Sequence, residues 1–116
     1  MNSDHTSMLA DDRLITRGEE PLNLEMPFAS LREFVTPNDK FYVRCHFPVP
    51  RIDAATWRLS IAGTVGTPVE LTLEELQAMP QHTTTATMEC AGNGRSHLEP
   101  KVKGVAWDIG AVGNAE

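Results

Sequence analysis

A strand-like stretch that ends in a cysteine and a glycine-bearing turn is the feature that most constrains how this chain folds. Residues 83–88 are rich in threonine, Cys90 follows them, and Gly92-Asn93-Gly94 has the composition of a tight turn. Arg95 comes directly after that turn. A single thiolate on a rigid strand end, beside a guanidinium, suits a metal that binds sulfur. The alternative is a buried structural cysteine, since free cysteine is among the most buried residue types.

Short strand patterns separated by prolines and turn residues make up most of the remaining chain. The predicted strands cover residues 41–46, 56–63, 69–71, 81–90 and 105–107. Trp57 lies on the apolar face of an alternating strand, so we expect it in the core. One short helix is predicted over 73–78 with Thr72 as its N-cap, and Ser30 opens a capping-box pattern before a turn over 31–35. The expected fold class is α+β, mixed and strand-rich.

The two ends of the sequence carry little structural signal. Residues 1–20 mix acidic and basic side chains, and we expect them to form a mobile N-terminal arm ahead of a domain over 21–116. Residues 110–116 are small and weakly apolar, which is typical of a loop or turn. We therefore expect the sequence to be the truncated first part of a longer protein.

Composition excludes several classes of function. The formal net charge of −6 argues against nonspecific nucleic-acid binding, which needs a basic surface. The first twenty residues contain no long apolar run, so neither a secretory signal nor a membrane span is predicted. Two cysteines are too few for a disulfide scaffold, which favours a reduced, cytoplasmic environment.

Three other cysteine and glycine patterns have alternative interpretations. A zinc site drawn from Cys45, His46, Cys90 and His97 is disfavoured because adjacent strand residues point to opposite faces. A disulfide between the two cysteines is a further alternative. The glycine turn fails the dinucleotide pattern, since the third glycine would fall on His97, but such a turn can still hold an anion.

Arg44 and Arg95 each lie close in sequence to a cysteine. Arginine can hold an oxyanion through planar, bidentate donors. The alternative for each is a solvated surface side chain, because arginine is mostly exposed in proteins. The pair is therefore a candidate anion site only in combination with other evidence.

Several motifs together resemble the sulfite oxidase family of molybdopterin enzymes. The segment 41–50 (FYVRCHFPVP) resembles the family's FxxRNHxPVP segment, and 88–96 (MECAGNGRS) is similar to its cofactor cysteine loop. Residues 103–107 (KGVAW) are similar to the continuation of that loop. The resemblance covers 21–116 and implies the N-terminal portion of a sulfite-oxidase-type molybdopterin-binding domain.

The resemblance also implies a cofactor, a site and a reaction. Cys90 would be the thiolate ligand of molybdenum in a molybdenum–molybdopterin cofactor, beside the dithiolene sulfurs of the pterin. The residues expected to contact the cofactor are Tyr42, Val43, Arg44, Cys45, His46 and Cys90. The residues expected to form the anion pocket are Arg44, Arg95 and Trp107. The implied reaction transfers an oxygen atom to or from a small oxyanion such as sulfite, and passes two electrons to an acceptor such as a cytochrome.

Two departures from the family pattern bear on this expectation. Cys45 stands where the family has asparagine, and Gly94 stands where animal sulfite oxidases have the first arginine of a pair. The loss of a positive charge leaves the substrate open. The family's later segments and its dimerisation domain have no counterpart here, so a homodimer is expected only through a missing C-terminal domain. A non-catalytic fragment or anion-binding module that retains the fold is the alternative function.

Overall fold

The computed structural model describes residues 13–116, which fall into two compact units. The first unit contains the described part of Met1–Val49 together with Thr84–Glu116, and the second contains Pro50–Thr83. The strands, in chain order, are β1 (Ile15–Gly18), β2 (Asn23–Glu25), β3 (Val43–Arg44), β4 (Arg58–Ile61), β5 (Val69–Thr72), β6 (Ala86–Glu89) and β7 (Val112–Ala115). Among residues 13–116, the helical elements are one α-helix, α1 (Leu73–Ala78), and two 3₁₀ turns, Phe28–Ser30 and Arg95–His97.

The first unit contains two antiparallel sheets. In one, β2 lies between β1 and β3, with Leu24 opposite both Thr16 and Val43. In the other, β6 pairs with β7, so that Glu89 lies opposite Val112. Cys90 immediately follows β6, and this second sheet therefore sets the position of its backbone.

The core of the first unit mixes apolar and polar side chains. Its apolar members are Met26, Trp107 and Ala111, each at most 1% exposed. The strand β2 adds Asn23 and Glu25, which are 3% and 1% exposed. Buried polar groups need hydrogen-bond partners, and both of these side chains bond to backbone groups. The consequence is a core in which two β2 side chains act as structural hydrogen-bonding groups.

The second unit is a β-hairpin followed at once by the helix. Strands β4 and β5 are antiparallel, and Thr72 both ends β5 and caps α1. The Glu75 N–H donates to the Thr72 hydroxyl at 3.0 Å, and the Thr72 N–H donates to the Glu75 carboxylate at 2.8 Å. This reciprocal capping box confirms the predicted helix over 73–78. Trp57 precedes β4 and is only half-buried, so its expected place in a core is wrong.

The strand-rich architecture with little helix agrees with the expected class, while three predictions about local elements differ. The predicted strand over 105–107 is a turn, because the Trp107 N–H bonds to the Val105 carbonyl rather than to a strand. The expected loop at 110–116 contains β7, which pairs with β6. The turn predicted over 31–35 occurs instead at Phe28–Ser30, where Ser30 makes no cap.

The expected arm differs in its last part. Most of it, residues 1–12, lies outside the described residues. Ile15–Gly18 forms β1, because β2 supplies a ladder and Arg17 forms an ion pair with the buried Glu25 carboxylate. The boundary proposed after residue 20 stays a prediction. Within residues 13–116, the helices lack the length and apolar character needed to cross a bilayer.

Candidate functional site

The loop after β6 carries Cys90 on a backbone fixed at both ends. The Cys90 N–H donates to the Ala111 carbonyl at 2.9 Å, which extends the β6–β7 ladder by one residue. The Cys90 carbonyl accepts from the Asn93 N–H at 2.8 Å and closes a tight turn. Gly94 then adopts φ +77°, a left-handed conformation that favours glycine. The predicted sequence of strand, cysteine and glycine turn is present here.

A neighbouring segment, Trp107–Ala111, holds the far side of this loop. The Gly94 N–H donates to the Asp108 carbonyl at 2.6 Å, and the Ser96 N–H donates to the Trp107 carbonyl at 3.0 Å. These two bonds and the Cys90–Ala111 bond run between the same two stretches of chain. The geometry of the cysteine loop therefore depends on the geometry of Trp107–Ala111.

The Asn93 side chain ties the same two segments together. Its amide nitrogen donates to the Glu89 carboxylate at 3.0 Å and to the Ile109 carbonyl at 3.3 Å. Its amide oxygen accepts from the Ala111 N–H at 3.0 Å. The sequence prediction missed this role, although asparagine between two glycines is a common signal for side-chain bonding to a turn.

Arg95 packs its guanidinium into a slot between two glycines. A Cβ at Gly104 would overlap the guanidinium, and a Cβ at Gly92 would lie 2.6 Å from Nη2. Nη1 donates to the Lys103 carbonyl. The half-buried Arg95 thus holds the cysteine loop against the segment around Gly104.

A cavity of about 230 Å³ lies beside Arg95. Its lining includes the glycine turn and two cationic residues, Arg95 and Lys103. Since one water molecule occupies roughly 30 Å³ in the liquid, this volume can hold a small oxyanion with its hydration water. Lys103 was not among the sequence-predicted site residues.

Tyr42 and Trp107 form an aromatic wall near Cys90. Their ring centroids lie 6.4 Å apart in an edge arrangement, and Tyr42 also stacks on Phe41 at 5.5 Å. Burial raises the pKa of Tyr42, and negative charge at Cys90 and Glu89 raises it further. The structure therefore brings Tyr42, Trp107 and Cys90 into one neighbourhood, with Trp107 only 1% exposed.

Arg44 and Cys45 meet at one buried side chain, Asn23, and His46 lies against Arg44. The Asn23 Oδ1 accepts from Arg44 Nη1 and from the Cys45 N–H, each at 3.3 Å. Arg44 Nη1 also donates to the Cys45 carbonyl, and Nη2 lies 3.3 Å from His46 Nδ1. Arg44 and His46 are exposed, and Val43 and Cys45 are half-buried. Asn23 was not identified from the sequence.

Both cysteines are free thiols, so the disulfide alternative is wrong. Cys90 is half-buried, as is Cys45. Among the described residues, no three histidine, cysteine or acidic side chains are grouped as metal ligands. Cys90 is thus a single soft donor, as a one-cysteine metal site requires.

The His97 imidazole pairs with an acidic neighbour across the same loop. His97 Nε2 lies 2.5 Å from Asp108 Oδ1, and both side chains are more than half exposed. The pair joins the 3₁₀ turn after Cys90 to Trp107–Ala111, alongside the backbone bonds described above.

Comparison with known families and proteins places this geometry in context. The family described as "Oxidoreductase molybdopterin binding domain" matches residues 46–116. Sulfite oxidase of Gallus gallus is 42% identical over 106 residues, covering 88% of this chain and 23% of that protein. The NADH nitrate reductase of Hordeum vulgare is 41% identical over 99 residues, covering 83% of this chain and 11% of that protein.

A solved structure shares the fold at lower identity. The sulfane dehydrogenase SoxCD of Paracoccus pantotrophus superposes with a TM-score of 0.72 at 22% identity, over 98% of this chain and 33% of that chain. Mitochondrial sulfite oxidase of Drosophila melanogaster is 45% identical over 84% of this chain and 18% of that protein. The chain therefore spans about a quarter or less of the length of the curated relatives described here.

Proposed function

The chain belongs to the oxidoreductase molybdopterin-binding domain family, and from this premise we propose that Cys90 supplies the protein thiolate to a molybdenum–molybdopterin cofactor. The proposed enzyme is an oxidoreductase of the sulfite oxidase type. The family match implies this cofactor, and the relatives named sulfite oxidase support the enzyme class.

The residues present fit one ligand of such a cofactor. Cys90 is a free, half-buried thiol on a backbone held by the Ala111 carbonyl. Thiolate sulfur suits metals that also bind dithiolene sulfur. This single observation, a preset free thiol at the end of β6, carries the proposal.

Other residues of this chain are assigned to binding the cofactor and the substrate. Tyr42, Val43, Arg44, Cys45 and His46 are proposed to line the pterin. Arg44, Arg95 and Trp107 are proposed to surround the substrate anion. The cavity of about 230 Å³ supports the assignment of Arg95, because Arg95 and Lys103 both line it, whereas Arg44 and Trp107 do not. Arginine stabilises an oxyanion through its planar donors, and fixed charges act strongly where water is restricted.

The chemistry itself comes from the cofactor, which supplies oxygen-atom transfer and two-electron redox chemistry when bound. The protein's part is to hold the thiolate, orient the anion and limit access of water. A small oxyanion such as sulfite is the proposed substrate. A nitrate reductase and a sulfite oxidase match this chain at nearly equal identity, so we keep the proposal at the level of a small oxyanion.

The remaining assignments concern the electron acceptor, the location, the partners and the oligomeric state. An electron acceptor such as a cytochrome follows from the two-electron reaction. The cytoplasmic location and the absence of nucleic-acid and membrane partners stay predictions from composition. A homodimer formed through a further domain also stays a prediction.

The proposal is tested with Cys90→Ser in the full-length protein, produced in a host that makes molybdopterin. We expect turnover per bound molybdenum to fall by about 100-fold or more with sulfite, since even groups that only support metal ligands change activity by about 10–100-fold. The circular dichroism spectrum should not change. Ser60→Ala, on the exposed surface of the second unit, is the matched control and should keep full turnover.

Two outcomes would contradict the proposal. One is full turnover by Cys90→Ser at equal molybdenum content. The other is a wild-type protein that binds an oxyanion but takes up no molybdenum in that host, which would favour the non-catalytic anion-binding module.

A further inference from the structure

Glu25 is a buried carboxylate that lies outside the family-matched residues 46–116. It sits at the end of β2 and is 1% exposed. A buried carboxylate is costly unless hydrogen bonds and charge compensate it. Its position in the core therefore calls for specific partners.

Three donors surround this carboxylate, and two of them are backbone groups far away in sequence. Oε2 accepts from the Asp108 N–H at 3.1 Å, and Oε1 accepts from the Gly110 N–H at 2.8 Å. The Arg17 guanidinium, from β1, donates to Oε2 and supplies the opposite charge. Each carboxylate oxygen is thus bonded, and the negative charge is paired.

Close backbone contact reinforces the same junction. The Met26 N–H donates to the Gly110 carbonyl at 3.2 Å. A Cβ at Gly110 would overlap the Met26 carbonyl oxygen, so only glycine fits there. The end of β2 and the stretch Asp108–Gly110 therefore lie against each other at a fixed distance.

That stretch is also the one that holds the cysteine loop. The Asp108 carbonyl accepts from Gly94, and its neighbours Trp107 and Ala111 accept from Ser96 and Cys90. One face of the segment bonds to Glu25, while its carbonyl groups bond to the loop. Displacing the segment from Glu25 would release both ends of the loop that carries the thiol.

We propose that Glu25, paired with Arg17, is a positioning residue that presets the Cys90 loop before the cofactor binds. The link to the cofactor rests on the proposed function, whereas the clamp itself can be tested on the cofactor-free protein. The N-terminal hairpin, formed by β1 and β2, would then contribute to the site through the segment Asp108–Gly110 and without direct contact with the thiol.

Glu25→Gln is the sharpest variant, because it keeps the shape and removes one acceptor. The amide oxygen can accept only one of the two backbone N–H groups, and the amide nitrogen would face the other N–H donor to donor. Thr36→Val is the matched control. The Thr36 hydroxyl is also buried and also accepts from a backbone N–H of the same region, that of Asn114, but at the far end of β7.

The measurement is the rate of maleimide alkylation at each cysteine of the cofactor-free, full-length protein, read from peptide masses. For Glu25→Gln we expect alkylation at Cys90 to rise about tenfold, because a buried donor left without its acceptor destabilises the closed arrangement of the loop. Alkylation at Cys45 is the internal reference and should not change. Amide exchange should also accelerate over 90–96 and 107–111 in this variant, and not in Thr36→Val.

Three results would overturn the proposal: an unchanged rate at Cys90, an equal rise at Cys45, or the same rise at Cys90 in Thr36→Val. If Glu25→Gln does not fold, Arg17→Gln decides, because a buried carboxylate without its compensating charge is less stable and its hold on the Asp108 and Gly110 N–H groups weakens. This variant should raise the Cys90 rate alone, and no change would count against the clamp. Failure of the wild-type protein to bind molybdenum would refute the proposed function but would leave these alkylation rates as they are.

Discussion

At the scale of single residues, glycine at a few positions decides where the Arg95 side chain can lie. Gly104 has φ +126° and leaves room for the guanidinium that a Cβ would fill. Gly63 also has a positive φ, +87°, but nothing lies within 4 Å of its missing Cβ. Gly66 has neither the strained φ nor a close neighbour. Substitutions at these three positions therefore distinguish the free-energy cost of backbone strain from the cost of displacing Arg95.

Alanine at these three positions should give graded effects. Gly66→Ala should change the free energy of unfolding by less than about 0.5 kcal/mol, as for most surface changes. Gly63→Ala should lower it by about 1–2 kcal/mol, the cost of a left-handed conformation with a Cβ. Gly104→Ala should lower it further and weaken oxyanion binding. Denaturant unfolding measures the free energy of unfolding, and titration calorimetry with sulfite measures oxyanion binding. Equal losses of unfolding free energy in Gly63→Ala and Gly104→Ala would contradict the packing of Arg95 between the glycines.

Tyr42 offers a spectroscopic probe of the cysteine loop, since it is the single tyrosine of the chain. Burial raises its pKa above the ordinary value, and the charges of Cys90 and Glu89 add to the rise. The folded protein keeps the phenol proton to higher pH than the unfolded chain does. The free energy of unfolding should therefore fall as pH rises from about 10 upward.

Absorbance at the phenolate band should follow this titration directly. We expect the midpoint to lie above 10 in the folded protein and to move down in Glu89→Gln while staying above 10, because burial is the largest cause. Glu99→Gln, which removes an exposed charge not among the causes, is the control. A midpoint unchanged by Glu89→Gln would place that carboxylate too far away to act on Tyr42.

At the scale of elements, secondary structure that depends on residues adjacent in the sequence could be predicted. Strands that depend on pairing with a distant segment could not. Helix α1 was located because Thr72 and Glu75 carry the whole capping signal within four residues. Strands β1 and β7 were missed because their strand character comes from pairing with β2 and β6. The alternation of Leu24 with polar Asn23 and Glu25 predicts that the polar side chains face solvent. The structure buries them instead, because backbone N–H groups donate hydrogen bonds to them.

The capping box of α1 makes a prediction confined to the second unit. Thr72→Ala should lower the free energy of unfolding by about 1 kcal/mol. Thr72→Ser, which keeps the hydroxyl, should retain most of the wild-type free energy of unfolding. Hydrogen bonds from the Thr72 backbone and hydroxyl hold the pKa of Glu75 below its ordinary value. The stabilising contribution of this carboxylate is present above the ordinary pKa and is lost as pH falls through the lowered one. Unfolding followed by circular dichroism between pH 3 and 7 measures the effect of the Thr72 variants and the pH dependence due to Glu75. Identical pH dependence in wild type and Glu75→Gln would contradict the capping box.

At the scale of the whole molecule, the candidate site depends on residues that the family-matched segment does not contain. The motifs around Cys90 and Arg44 could be read from the sequence, because each is a contiguous run with its own chemistry. Glu25 and Asn23 could not be found in this way, since their roles exist only when β2 meets Asp108–Gly110 and β3. The first unit thus combines a recognisable cysteine loop with an N-terminal hairpin that fixes it.

X-ray absorption at the molybdenum edge measures whether Cys90 binds molybdenum. The comparison is between the full-length wild-type protein and Cys90→Ser, each loaded with cofactor. If Cys90 is the ligand, the variant should have one sulfur neighbour fewer per molybdenum, with a light-atom neighbour or no ligand in its place. The same number of sulfur neighbours in both proteins would contradict this assignment, because Cys90 could not then be the thiolate that holds the metal.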